Sequence, residues 1–169
     1  MLLPIEKYGS SVLRVVSEPV TAINGDIAQL VEDMLETMYA APGVGLAAPQ
    51  VGRNLRLVIT DVSSGKEPGQ RIILANPEIV QEEGEQYGEE GCLSIPEFSE
   101  KVVRPRRIVV KGVTLDEKET FIEAQDLLAR CFCHEIDHLN GRYFLDLISP
   151  LKRGLITRKI KRLMKEGNW

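Results

Sequence analysis

Histidine is nearly absent from this chain: there are two among 169 residues, His134 and His138. Cysteine is scarce too, three in all. That odd number fits a secreted disulfide framework poorly and a reducing, cytoplasmic compartment better. No stretch approaches the ~20 apolar residues that a membrane helix needs. The opening Met1-Leu2-Leu3-Pro4-Ile5-Glu6-Lys7 lacks a basic flank followed by a long apolar run, so no signal peptide is expected. Internal repeats and low-complexity tracts are also missing, and 43% hydrophobic with 27% charged residues excludes general disorder. These absences leave a globular chain expected to form one domain over residues 1–169, with a core that needs no disulfide support.

Positive charge is in short supply over most of the length. Residues 1–149 carry 14 Lys/Arg against 24 Asp/Glu, a balance of −10. Residues 150–169 reverse it: Lys152, Arg153, Arg158, Lys159, Lys161, Arg162 and Lys165 face Glu166 alone, a balance of +6. A basic tail on an acidic body is either an interaction element for an anionic partner such as RNA or a solvated helix face. The second is the simpler reading.

Apolar spacing predicts a helix from Asn24, with Asp26 placed to cap it and Ile27, Leu30, Val31, Met34, Leu35 and Met38 on one face. Pro42-Gly43 stops it, and a glycine-rich loop follows over residues 43–52. Strands are expected at Leu55–Thr60, Arg71–Ala75, Ile79–Gln81, Lys101–Val103, Ile108–Leu115 and Thr120–Glu123. A second helix runs from about Asp126 to Leu139, ended by Gly141 in the left-handed conformation. Ser149-Pro150 opens a third, basic one over 150–169, whose apolar stripe is Leu155, Ile156, Ile160, Leu163 and Met164. One helix, many strands, then two helices describe an α+β fold rather than alternating βαβ units.

Both histidines fall in one window, His134-Glu135-Ile136-Asp137-His138. Residues four apart on a helix share a face, about 6 Å between Cβ atoms, so both imidazoles reach one metal ion with Glu135 beside it. An ordinary buried helix is the plain alternative. Burying two histidines and two carboxylates in five residues is expensive unless something compensates them. The window therefore reads as a metal hydrolase.

Two imidazoles leave a catalytic metal one protein ligand short. The metzincin continuation holds as far as Gly141, but its last histidine position is Phe144. A downstream carboxylate, Asp146 or Glu166, is open but unattractive. Cys131 shares the face of His134, yet it lies seven residues from His138, about 10 Å along the axis. Cys133 points roughly 100° away from His134. Both read as small core residues. Cys92 differs, because Gly91 before it and Pro96 after it hold an accessible segment that can approach from outside the helix.

The glycine-rich loop satisfies G-x-G-x-x-A, but a helix precedes it and Pro49 stands where a helix should propagate, which excludes a dinucleotide site. Val44 and Gly45, with Gly91 opposite, could instead pair with an extended peptide as an added strand. Arg130, one turn before His134, is expected to rim the site. Glu90 and Arg104 could form an ion pair supporting the Cys92 segment, or be plain surface charges.

Three motifs in series, Gly43-Val44-Gly45-Leu46-Ala47-Ala48-Pro49-Gln50, Glu90-Gly91-Cys92-Leu93-Ser94 and His134-Glu135-Ile136-Asp137-His138, resemble the signatures of bacterial peptide deformylases. The resemblance spans essentially the whole chain. It implies antiparallel β-sheets around a central helix carrying the histidines, with an N-terminal helix and a C-terminal amphipathic one. It implies removal of the formyl group from the formylmethionine of nascent peptides in the cytoplasm. It implies Cys92, His134 and His138 as metal ligands and Fe(II) as the native ion, with Zn, Ni or Co as substitutes. A bound metal brings a water toward ionisation near neutral pH. Glu135 then serves as proton acceptor and donor, and by resemblance the Gln50 amide and Leu93 N–H stabilise the oxyanion. The methionine side chain is placed near Val44, Leu127 and His134. By the same resemblance the basic third helix is a candidate ribosome contact, while neither membrane nor DNA is expected as a partner. Two rivals follow from the residues alone: a metallopeptidase using the same window on internal amides, and a non-enzymatic module with a closed zinc site.

Overall fold

The computed structural model describes residues 1–169. Helix α1 (Gly25–Ala40) is capped by Asn24, whose side chain accepts from Ile27 N at 3.1 Å. Asp26, the expected cap, already lies in the first turn, where its charge favours the helix N-terminus instead. The strands are β1 (Gly45–Ala47), β2 (Leu57–Thr60), β3 (Ile72–Glu83), β4 (Gln86–Cys92), β5 (Ile95–Arg104), β6 (Arg107–Val113) and β7 (Glu119–Gln125). Helices α2 (Asp126–Leu139) and α3 (Pro150–Lys165) close the order. The fold is α+β. The named strands pair antiparallel throughout, in a five-stranded sheet ordered β1-β2-β3-β6-β7 and a separate β4-β5 hairpin.

Strand β2 shows how the sheet positions everything else. Alternate residues of a strand face opposite sides, and Leu57-Val58-Ile59-Thr60 is buried on both. Leu57 and Ile59 join Leu30, Val31, Met34 and Met38 of α1 in one core. Val58 joins Phe132, Ile136 and Leu139 of α2 in another. Each such side chain contributes roughly 1.5–3 kcal/mol relative to exposure. One face of α2 is thereby anchored, leaving the other to carry Arg130, His134, Glu135 and His138 into a buried polar seam. A third core sets Ile95 and Val102 of β5 against Tyr143, Phe144 and the α3 residues Ile156 and Ile160.

Several elements differ from expectation. The segments around Arg71–Ala75 and Ile79–Gln81 are one strand, β3, carried through Asn76-Pro77 by register shifts. Asn76 takes φ +51° there, and its side chain bonds both the N–H and the carbonyl of Val20 at 2.8 and 2.9 Å. Strand β4, absent from the sequence reading, has no apolar alternation. The glycine-rich loop contains β1 and a 3₁₀ turn over Ala48–Val51. The stripe of α3 is narrower than expected, because Leu155 and Met164 are exposed. At the end of α2, Gly141 has φ +74°, and a Cβ there would lie 2.7 Å from Arg14 O.

Candidate metal centre

His134 and His138 stand one turn apart on α2, and the β4–β5 hairpin folds Cys92 over them. Cys92 Sγ lies 3.2 Å from His138 Nε2, which is 3.1 Å from His134 Nε2. The donor atoms of Cys92, His134 and His138 lie within 4.8 Å of one another. Two imidazole nitrogens and a thiol converging in a buried seam make a donor set suited to one divalent ion of borderline softness. Asp146 is elsewhere, bonded to Arg14 and to Tyr143 N. Cys131 and Cys133 are buried, and burial pushes both thiols up, Cys133 to about 12. Neither joins the cluster: Cys131 Sγ donates to Val44 O at 3.4 Å, and Cys133 packs in the core with Phe132 and Ile136.

Glu90 of β4 organises the other side of His134. Its Oε2 lies 2.7 Å from His134 Nδ1, which leaves Nε2 turned toward Cys92 and His138. Arg104 donates to both carboxylate oxygens, Nε to Oε1 at 3.0 Å and Nη2 to Oε2 at 2.7 Å, and also reaches Asp137 at 2.7 Å. Burial opposes the Glu90 charge, but the bonds from His134 and Arg104 prevail and hold its pKa at about 2. Arg130 lines the cavity, as expected, but its guanidinium is turned into the network. It is 7% exposed and donates through Nη1 to Glu90 Oε1 and Val102 O, both at 3.1 Å. This network is why β4 is a strand despite its polar sequence: its buried anchor is a charge.

Glu135 is 2% exposed, and its Oε1 has no hydrogen-bond partner. Burial pushes its pKa up to about 7, with the His134 charge pulling the other way. A cation beside it would favour the carboxylate. Gly45 of β1 lies against this side chain: a Cβ at Gly45 would sit 2.6 Å from Cys131 Sγ and 3.0 Å from Glu135 Oε2. Gln50 is aimed by three contacts. Its Oε1 accepts from Ala47 N at 2.9 Å, while Nε2 donates to Ser94 Oγ at 3.1 Å and lies 3.6 Å from Cys92 Sγ. The first motif thus delivers an amide N–H₂ beside the second motif's thiol.

The polypeptide deformylase family model matches residues 2–154. The chain belongs to the peptide deformylase family. A peptide deformylase of Acidobacterium capsulatum is 47% identical over 169 residues, covering 100% of this chain and 99% of the relative. The crystal structure of a peptide deformylase from Legionella pneumophila superposes with a TM-score of 0.90 at 42% identity, covering 98% of each chain. That from Ehrlichia chaffeensis in complex with actinonin gives a TM-score of 0.88 at 40% identity, covering 95% of this chain and 96% of that one. Peptide deformylases are metal-dependent, and the Cys92–His134–His138 cluster is the possible ion site here.

The deformylase motifs meet on one cavity of about 1150 Å³. Gln50, Cys92, Leu93, His134 and Glu135 line it, as do Val44, Gly45, Glu90, Gly91 and Leu127. His138 and Arg104 stand behind that wall. Leu127 is half-exposed, a flank of the cavity rather than its floor. Leu2, Leu3, Ile5 and Phe98 also line it and carry no motif by which sequence could mark them. Ser94, which holds Gln50, is a site residue of the second motif that the sequence alone does not mark.

Proposed function

We propose that the chain is a peptide deformylase that removes the formyl group from the N-terminal formylmethionine of newly made polypeptides, releasing formate. The observation that carries this reading is the convergence of Cys92 Sγ and two imidazole Nε2 atoms beside a buried, unpartnered Glu135 oxygen on a cavity wall. Cys92, His134 and His138 would hold one divalent ion, natively Fe(II), with Zn, Ni or Co as substitutes. When bound, such an ion lowers the pKa of a water toward neutrality and polarises a carbonyl.

The chain's own groups supply the rest. Glu135 accepts the water's proton and returns it to the leaving α-amine as the formyl C–N bond breaks. Gln50 Nε2–H and Leu93 N–H donate to the oxygen of the tetrahedral intermediate. Val44, Gly45 and Gly91 align the peptide as an added strand, with the methionine side chain toward Leu127 and His134. Glu90 and Arg104 keep His134 oriented. Residues 1–169 act as one catalytic domain.

Parallel assays on formylated and unformylated Met-peptides test this reading. Formate release from the first without cleavage of internal amides supports it. Cleavage of unformylated peptides instead makes the chain a metallopeptidase.

By the same reading the protein is proposed to act in the cytoplasm, beside translating ribosomes. The basic residues of α3, next to exposed Leu151 and Leu155, are proposed to contact the ribosome. Deleting α3 would remove Ile156 and Ile160 from the third core, so charge reversal at Arg158, Lys159 and Arg162 is the cleaner test. Ribosome affinity should fall with that change and fall steeply with salt. Unchanged affinity would leave α3 as a packing element.

A further inference from the structure

Arg130 belongs to no recognised motif, yet it is among the most constrained side chains of the site. It stands one turn before His134 on α2 and lines the substrate cavity. Its Nη1 bridges two acceptors on different strands, Glu90 Oε1 of β4 and Val102 O of β5. Glu90 therefore receives four bonds on two oxygens. Arg104 supplies one to each, Arg130 adds a second to Oε1, and Oε2 meets His134 Nδ1.

We propose that Arg130 is a positioning residue for the metal site, acting on His134 through Glu90. Arg104 grips one edge of the carboxylate but leaves its opposite edge to be set by other partners. Arg130 pins Oε1 on that edge, and because it is also tied to Val102 O it cannot follow the carboxylate if Glu90 turns. Oε2 is thereby held where it accepts a hydrogen bond from His134 Nδ1–H, and His134 Nε2 is held toward Cys92 and His138. Partners of this kind orient ligand imidazoles and fix their tautomer. The bonds of Arg130 also explain how a cation can stand in this cavity wall: its charge is spent on Glu90. The inference rests on the reading of Cys92, His134 and His138 as ligands.

The test is metal affinity, measured on the folded, metal-free protein by titrating Zn(II) against a chromophoric chelator. Arg130→Met keeps an apolar stem and removes both bonds, and it should weaken Zn(II) binding by roughly tenfold, the low end for a group that orients a ligand. Arg130→Lys retains a donor and a charge facing Glu90 and should recover most of that loss. If Arg130→Met does not fold, Arg130→Gln must show the same weakening. A purely packing role would lower the melting temperature and leave the affinity of the folded protein alone. Parental Zn(II) affinity in the folded Met or Gln variant overturns the proposal. His138→Ala serves as the control, with a far larger loss expected. If that variant binds like the parent, the ligand assignment itself is wrong and the role of Arg130 falls with it.

Discussion

Replacing Glu90 by glutamine tests the organisation of the site with one atom changed. The carboxylate accepts from Arg104 Nε and Arg130 Nη1 on one oxygen and from Arg104 Nη2 and His134 Nδ1 on the other. An amide has the same shape but a single acceptor oxygen. Turned toward Oε1, its N–H₂ faces donors from both arginines; turned toward Oε2, it faces Arg104 Nη2 and an imidazole that must give up its Nδ1 proton to accept. Either way buried Arg130 loses its carboxylate partner, and Arg104 keeps only Asp137. Glu90, Arg104 and Arg130 are 6%, 5% and 7% exposed, so water cannot take over. Removing one partner of a buried ionic group costs about 3–5 kcal/mol. In a domain of this size that lowers the melting temperature by roughly 6–20 °C. Metal-free protein should be used, so that lost ion binding does not enter. The pH dependence follows from the same carboxyl, which ionises near 4.5 when unperturbed and is held at about 2 in the fold. A depressed folded pKa means its stabilisation is complete above about pH 4.5 and is lost as pH falls toward 2. The gap between parent and Glu90→Gln should therefore narrow over that window. A variant melting with the parent at pH 7 would refute the reasoning.

Gln50→Ala should lower kcat by roughly 10²–10³ while metal content stays stoichiometric, as expected when one oxyanion donor is removed; unchanged kcat would take Gln50 out of the chemistry. Gly45→Ala places a methyl 3.0 Å from Glu135 Oε2 and 2.6 Å from Cys131 Sγ. Displacing Glu135 by about 1 Å should cost on the order of 10²-fold in turnover, read by steady-state kinetics on a formyl-Met peptide. Gly141→Ala combines φ +74° with a 2.7 Å approach to Arg14 O and should destabilise the fold by more than about 1 kcal/mol in urea titration.

The parts legible in sequence are those where apolar periodicity and the chemistry agree. Helix α2 is legible from about Asp126 to Leu139 because the paired histidines need a helix and Gly141 marks its stop; the structure adds Phe132, Ile136 and Leu139 as the face that anchors it. Strand β4 was invisible because its buried residue, Glu90, is held by arginines from β5 and α2, partners that no local pattern reveals. Strand β3 looked like two because Asn76-Pro77 reads as a turn until the Val20 backbone is there to bind Asn76. The place of Arg130 beside the cavity is legible in the sequence, but its bonds to Glu90 and Val102 O are hidden for the same reason as β4. A charge beside an apolar pocket reads as a rim residue unless the buried carboxylate facing it is known.

The central claim is that Glu135 moves the proton in a site whose ligands are other residues. The most direct measurement is formate release from a formyl-Met peptide by Glu135→Gln, purified anaerobically with its metal content determined. The account predicts one ion per chain, as in the parent, with turnover lower by at least about 10². Full metal content with parental turnover would contradict it.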